Sequence, residues 1–193
     1  MMYRQGIYFD IPVTGRSLNV EIERKFLVKK LPDELDRYPV RHMEQSYVSV
    51  RPVIRVRLVD DKRILTVKSK GLLSRQEFEM ELDENEYENL KSKSEGNVIV
   101  KDRYVIPLSD TSGTCGDSTV DSSLVIELDV FSGIFDGLIY AEVEFPTEDA
   151  ANAFAAPEWF GKDVTALGVY QNSALSSMKK SDIAGFVAQA VSE

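Results

Sequence analysis

From Val20 onward, apolar and charged residues alternate with a period of two, the repeat that sends successive side chains to opposite faces of a strand. The pattern predicts eight strands, over 20–28, 43–50, 53–60, 63–69, 75–82, 98–106, 123–131 and 139–146. Turn residues bound them, among them Pro52, Asp60, Asp61, Gly71, Gly96, Asn97 and Gly133. Three segments read as helices. Residues 83–94 begin at Asp83, which can cap, and carry acids in the first turn and lysines in the last, matching the helix dipole. Residues 147–155 start at Thr147, a good N-cap, with Glu148 and Asp149 behind it. Residues 178–191 place Ile183, Phe186, Val187 and Val191 on one face, which suits docking on the domain. Residues 1–18 have no clear period and contain Pro12 and Gly15, so they read as a leader to a single domain spanning 19–193.

The charged positions within the strands follow a rule. Glu21, Glu23 and Lys25 share a face, backed by Val20, Ile22 and Phe26, with Arg24 the exception. Arg55 and Arg57 share a face, as do Glu77 and Glu79, Lys101 and Arg103, Glu127 and Asp129, and Glu142 and Glu144; Lys68 stands alone. For any one strand a solvated face is the ordinary explanation. Across the whole set, doublets of mostly one sign per strand are better explained by a face that encloses something. Closing the sheet then gives a mainly β (α+β) fold: an eight-stranded antiparallel barrel, charged inside, apolar outside, with a few flanking helices and a C-terminal helix.

Charge counting bears on the occupant. Six cations face eight acids in this set, and clustered charge in a low-dielectric lumen is costly without counter-charge. Two divalent cations would leave the lumen mildly positive. Carboxylate-only ligands suit a hard ion such as Mg²⁺ or Mn²⁺, which also bridges phosphate oxygens. Arginine forks match phosphate oxygens in pairs and lysines act as point charges. These features point to a compact polyanion of triphosphate size.

Composition narrows the field further. The net charge of -9 argues against a broad duplex-nucleic-acid surface. One cysteine, Cys115, excludes an intrachain disulfide and a cysteine cage, and one histidine, His42, argues against a multi-histidine zinc site. No apolar run reaches the roughly 18 residues that span a bilayer, and no charged start precedes an apolar stretch, so a soluble, cytoplasmic protein without membrane partners is expected.

Glu21-Ile22-Glu23-Arg24-Lys25 fits an ExExK signature, and the order of the later doublets completes a pattern. Arg55 and Arg57, Lys68, the Arg75–Glu79 segment, Lys101 and Arg103, Glu127 and Asp129, then Glu142 and Glu144 follow in turn, with a closing stretch from Lys162 to Asn172. From Val20 to Ser176 the chain resembles the CYTH, or triphosphate tunnel metalloenzyme, superfamily. That resemblance implies a tunnel barrel binding a triphosphate through Lys25, Arg55, Arg57, Lys68, Lys101 and Arg103. It implies metal ligation, with two ions expected, by Glu21, Glu23, Asp129, Glu142 and Glu144, and catalytic parts for Lys25, Arg55, Arg57, Glu77 and Glu79. Hydrolysis of inorganic tripolyphosphate is the first expectation. A class IV-type adenylate cyclase, a thiamine or nucleoside triphosphatase, and a non-catalytic polyphosphate-binding module are the alternatives. Dimers are common in the family, so a homodimer is admitted. The C-terminal helix would plug one tunnel mouth or cover outward apolar faces.

Several residues are not promoted. His42 lies in a connecting segment, Cys115 in the polar loop 109–119, and Trp159 reads as packing. Lys70, Arg75 and Glu81 share lumen parity but fall near strand ends, where rim or solvent positions are equally open, and Lys162 is a rim candidate.

Overall fold

The computed structural model describes residues 19–111 and 124–193. The leader 1–18 and Cys115 lie outside the described residues. The strands are β1 (Asn19–Val28), β2 (Val40–Val50), β3 (Val53–Val59), β4 (Lys62–Lys68), β5 (Ser74–Glu81), β6 (Glu95–Pro107), β7 (Val125–Ser132) and β8 (Ile139–Glu144). All pair antiparallel in the order β5-β4-β3-β2-β6-β7-β8-β1, and β1 returns to β5 to close an eight-stranded barrel. A ninth strand, β9 (Phe160–Asp163), lies outside the closed ring on β1, opposite Phe26 and Val28. The alternation did not predict it, because four residues are too few to show a period.

Helix α1 (Glu84–Lys91) starts as expected: Asp83 accepts the Glu86 N–H, and the Glu86 carboxylate accepts the Asp83 N–H, both at 2.9 Å. Helix α2 (Glu148–Ala153) is capped by Thr147, which accepts from the Ala150 N–H at 3.1 Å. The short α3 (Asn172–Ser176) was not anticipated, and α4 (Lys180–Ser192) ends the chain. On α4, Ile183 and Ala190 are buried, whereas Val191 is 65% exposed. Ala190, seven residues past Ile183, returns almost to the centre of the apolar stripe, and Val191 falls at its edge. Among the described residues no helix is long and apolar enough to cross a membrane.

Two of the three apolar clusters lie outside the barrel. Outward side chains of β1, β6, β7 and β8, including Ile22, Phe26, Ile106, Leu128 and Val143, pack beneath α2 and β9 through Ala151, Phe154 and Phe160. Val56 and Leu65 pack beneath α1 through Tyr87 and Leu90. A third cluster has a different placement. Leu27, Tyr47, Ile99, Phe131 and Tyr140 have lumen parity, yet they are apolar or aromatic and buried, and they pack with Tyr170, Leu175, Phe186 and Val187. The charged lumen therefore ends at one side in an aromatic stopper, against which α3 and α4 sit. Gly96 makes that contact feasible: its φ is +83°, and a Cβ there would lie 2.3 Å from the Ser176 carbonyl oxygen. Asn97 then donates to the carbonyls of Leu175 and Met178 at 3.1 and 2.7 Å, which fixes α3 in place.

Candidate active site

Inside the barrel is a cavity of about 750 Å³ lined by Lys25, Arg55, Arg57, Lys68, Lys101 and Arg103 together with Glu21, Glu23, Glu77, Glu79, Glu127, Glu142 and Glu144. Apart from Asp129, the anticipated cations and acids thus share one chamber. Arg41 and Arg75 join them, which brings the lining to eight cations and seven acids. Arg41, Glu79 and Glu144 are exposed at the mouth, while Lys25, Lys68 and Lys101 are buried.

The acids and cations are tied across strands. Lys25 Nζ lies 2.8 Å from Glu142 Oε1, and Arg103 Nη2 lies 2.7 Å from Glu142 Oε2. Arg103 also grips Asp129 through Nε at 2.6 Å and Nη2 at 2.7 Å, and it pairs with Glu127. Lys101 pairs with Asp129 as well. Asp129 is fully buried and does not line the cavity; here it anchors the two β6 cations. On the opposite side Lys68 Nζ bonds Glu21 at 2.7 Å and Glu77 at 2.8 Å. Arg75 reaches Glu21 and Glu23, each at 2.8 Å, and donates to Gln171 Oε1 at 3.2 Å. Arg57 pairs with Glu79, and the Thr66 hydroxyl donates to the same carboxylate at 2.9 Å.

Electrostatics separates the members. Burial pushes the Glu21 carboxyl up, but Lys68 and Arg75 more than reverse this and hold it down at about 2. Its neighbour Glu77 goes the other way, to about 7: burial raises it, Lys68 opposes, and the Glu21 charge raises it again. Burial and then the like charges of Glu21, Glu127 and Glu23 push Glu144 up. Burial and the adjacent Arg103 lower the Lys101 ammonium to about 8, while burial and Arg55 bring Arg57 to about 10. Lys25 is raised, since the Glu142 and Glu23 charges outweigh its burial. The Nε donors of Arg55 and Arg57 are buried and find no acceptor among the described residues, a cost that an anionic ligand would remove.

The carboxylates fit a hard cation in donor type. Glu23 and Glu144 are register partners on β1 and β8, and Glu144 feels Glu21, Glu127 and Glu23 as an excess of like charge. Among the described residues no three acids are gathered into a ready coordination shell.

Arg75, left open between lumen and rim, lines the cavity, as do Arg41, Tyr47 and the 171–173 segment, to which sequence reasoning assigned no place in it. Parity alone could have suggested Met43, Gln45 and Tyr47 within 43–50, and Arg41 as well had β2 been started at Val40. Of the residues left aside, His42 is exposed and 2.6 Å from Asp102, Lys70 and Glu81 are exposed, Lys162 pairs with Glu193 on the surface, and Trp159 packs edge-on against Phe160.

An inorganic triphosphatase of Nitrosomonas europaea is 41% identical over 157 residues, spanning 81% of this chain and 96% of the relative. One of Acetivibrio thermocellus is 33% identical over 158 residues, spanning 80% and 92%. A crystal structure of an inorganic triphosphatase aligns with a TM-score of 0.59 at 36% identity, covering 82% of this chain and 99% of that one. No family model matches the chain.

Proposed function

The chain belongs to the inorganic triphosphatases of the CYTH, or triphosphate tunnel metalloenzyme, superfamily, and from that premise we propose that it hydrolyses inorganic tripolyphosphate to pyrophosphate and phosphate with Mg²⁺ or Mn²⁺. The observation that carries this reading is the chamber itself: eight cations and seven acids face one another across the barrel and make up most of its lining residues. Tyr47 and Phe78 are the aromatic lining residues, which gives a base or thiazole ring no stacking pair. The inorganic substrate is therefore favoured over ATP or thiamine triphosphate, and the full set of acids favours hydrolysis over mere binding.

Arg55, Arg57, Lys25 and Arg103 would hold the phosphate oxygens, the arginines through paired donors. Glu21, Glu23, Glu142 and Glu144 would hold the metal. A bound divalent ion supplies neutralisation of phosphate charge and a more acidic water. The fixed cations stabilise charge on the transferred group without reorganisation, the main device of phosphoryl transfer. Glu77 stands between Lys68 and Glu21 with its carboxyl at about 7, a suitable proton acceptor at neutral pH.

The test is a substrate panel of tripolyphosphate, ATP and thiamine triphosphate. Tripolyphosphate turnover that EDTA abolishes and Mg²⁺ or Mn²⁺ restores is the expected result. Turnover insensitive to EDTA would contradict the metal requirement, and cyclic AMP from ATP would favour the cyclase.

A further inference from the structure

Along one edge, β1 changes neighbour: β5 pairs with residues 19–22, and β9 takes over at Phe26. Lys25 lies at this changeover, where neither strand supplies a ladder partner. The turn after β9 fills the gap. The Lys25 N–H donates to Thr165 Oγ1 at 3.0 Å, and the Lys25 carbonyl accepts from the Val164 N–H at 2.9 Å. The Thr165 hydroxyl donates to Asp163 Oδ1 at 2.5 Å, which also accepts the Thr165 N–H at 2.9 Å. Asp163 Oδ2 is 2.5 Å from Arg24 Nη2, and Arg24 donates onward to the carbonyls of Ala151 and Phe154 at 3.0 and 3.1 Å. Its guanidinium lies 4.9 Å from the Phe26 ring centroid. None of Arg24, Asp163 and Thr165 lines the cavity. A hydrogen-bonded relay on the outer face thus ends on the backbone of the one lysine that β1 sends inward.

We propose that Thr165, aligned by Asp163 and Arg24, is a positioning residue for Lys25, holding the β1 backbone so that the ammonium points at the substrate. The proposal rests on Lys25 being a substrate-binding cation. Without the hydroxyl, the Lys25 amide loses its acceptor and the strand is free to shift. A misplacement of about 1 Å at a positioned group costs about a hundredfold in rate.

The test is steady-state tripolyphosphate hydrolysis, well below the melting temperature, by the wild type, Thr165→Val, Thr165→Ser, Asp163→Asn and Lys25→Met. Thr165→Val is expected to lower kcat by about tenfold to a hundredfold with a smaller change in KM. Thr165→Ser should restore most of the loss, because it returns the hydroxyl. Asp163→Asn, which keeps an acceptor for the hydroxyl but weakens the Arg24 tie, should fall between and serves if Thr165→Val does not fold. Wild-type kcat and KM in Thr165→Val, with only a lowered Tm, would overturn the proposal by reducing Thr165 to a structural part. Wild-type activity in Lys25→Met would instead overturn the premise about Lys25, a distinguishable failure.

Discussion

Replacing Arg103 with methionine is expected to lower the unfolding free energy by about 3–5 kcal/mol, the usual effect of removing one partner from a buried ion-pair network. Arg103 touches Asp129, Glu142 and Glu127 at once, and Asp129 has no exposure to water. Methionine keeps much of the volume, so the loss is electrostatic rather than a packing defect. Lys101 and Lys25 still neutralise part of Asp129 and Glu142, which keeps the effect within this range. Urea denaturation measures it, with Arg63→Ala as a control. Arg63 meets Glu84 at 3.4 Å on the surface, and its loss should cost less than about 1 kcal/mol. Equal midpoints for the two variants would contradict the buried network.

Arg55→Ala is expected to leave folding largely intact and to lower kcat/KM for tripolyphosphate by about 10²–10³, as the loss of one preorganised donor to developing charge does elsewhere. Arg55 is buried, its Nη2 is 3.8 Å from Glu77, and its Nε is without an acceptor among the described residues. With Tyr47 and a distant Glu77 as partners, its internal ties are weaker than those of Arg103, and its Nε is available to phosphate. Arg55→Lys should recover only part of the activity, since a point charge replaces the fork. Steady-state kinetics with a parallel thermal melt is the check. A rise in KM with unchanged kcat would show that Arg55 binds substrate and transition state equally.

Most of the barrel was legible because a period of two survives in most of its strands, and a strand with one charged face announces its parity; β2, whose register shifts near Tyr47 against both neighbours, is the exception. The doublets at Arg55 and Arg57, Lys101 and Arg103, and Glu142 and Glu144 needed only that parity to be brought together. Closure adds what alternation cannot show. The stagger of a closed barrel sets Arg75, near the start of β5, opposite Glu21 in register, so a residue that looked peripheral lies among the acids. Parity likewise says nothing of depth: Asp129 shares the inward face with Glu127 but is sealed behind Lys101 and Arg103. The aromatic stopper shares the same parity, yet its contacts with Tyr170 and Leu175 are made through α3 and a turn too short to carry a periodic signal. Arg24, the one charge out of phase on β1, is explained by carbonyls and an aspartate waiting outside the barrel.

The central claim is most directly tested by phosphorus NMR of tripolyphosphate incubated with the protein and Mg²⁺ or Mn²⁺. One pyrophosphate and one orthophosphate should appear for each tripolyphosphate consumed, and conversion should cease in a Glu21→Gln/Glu23→Gln variant that still melts cooperatively. No conversion by the wild type with either metal, or undiminished conversion by the variant, would contradict a metal-assisted triphosphatase in this lumen.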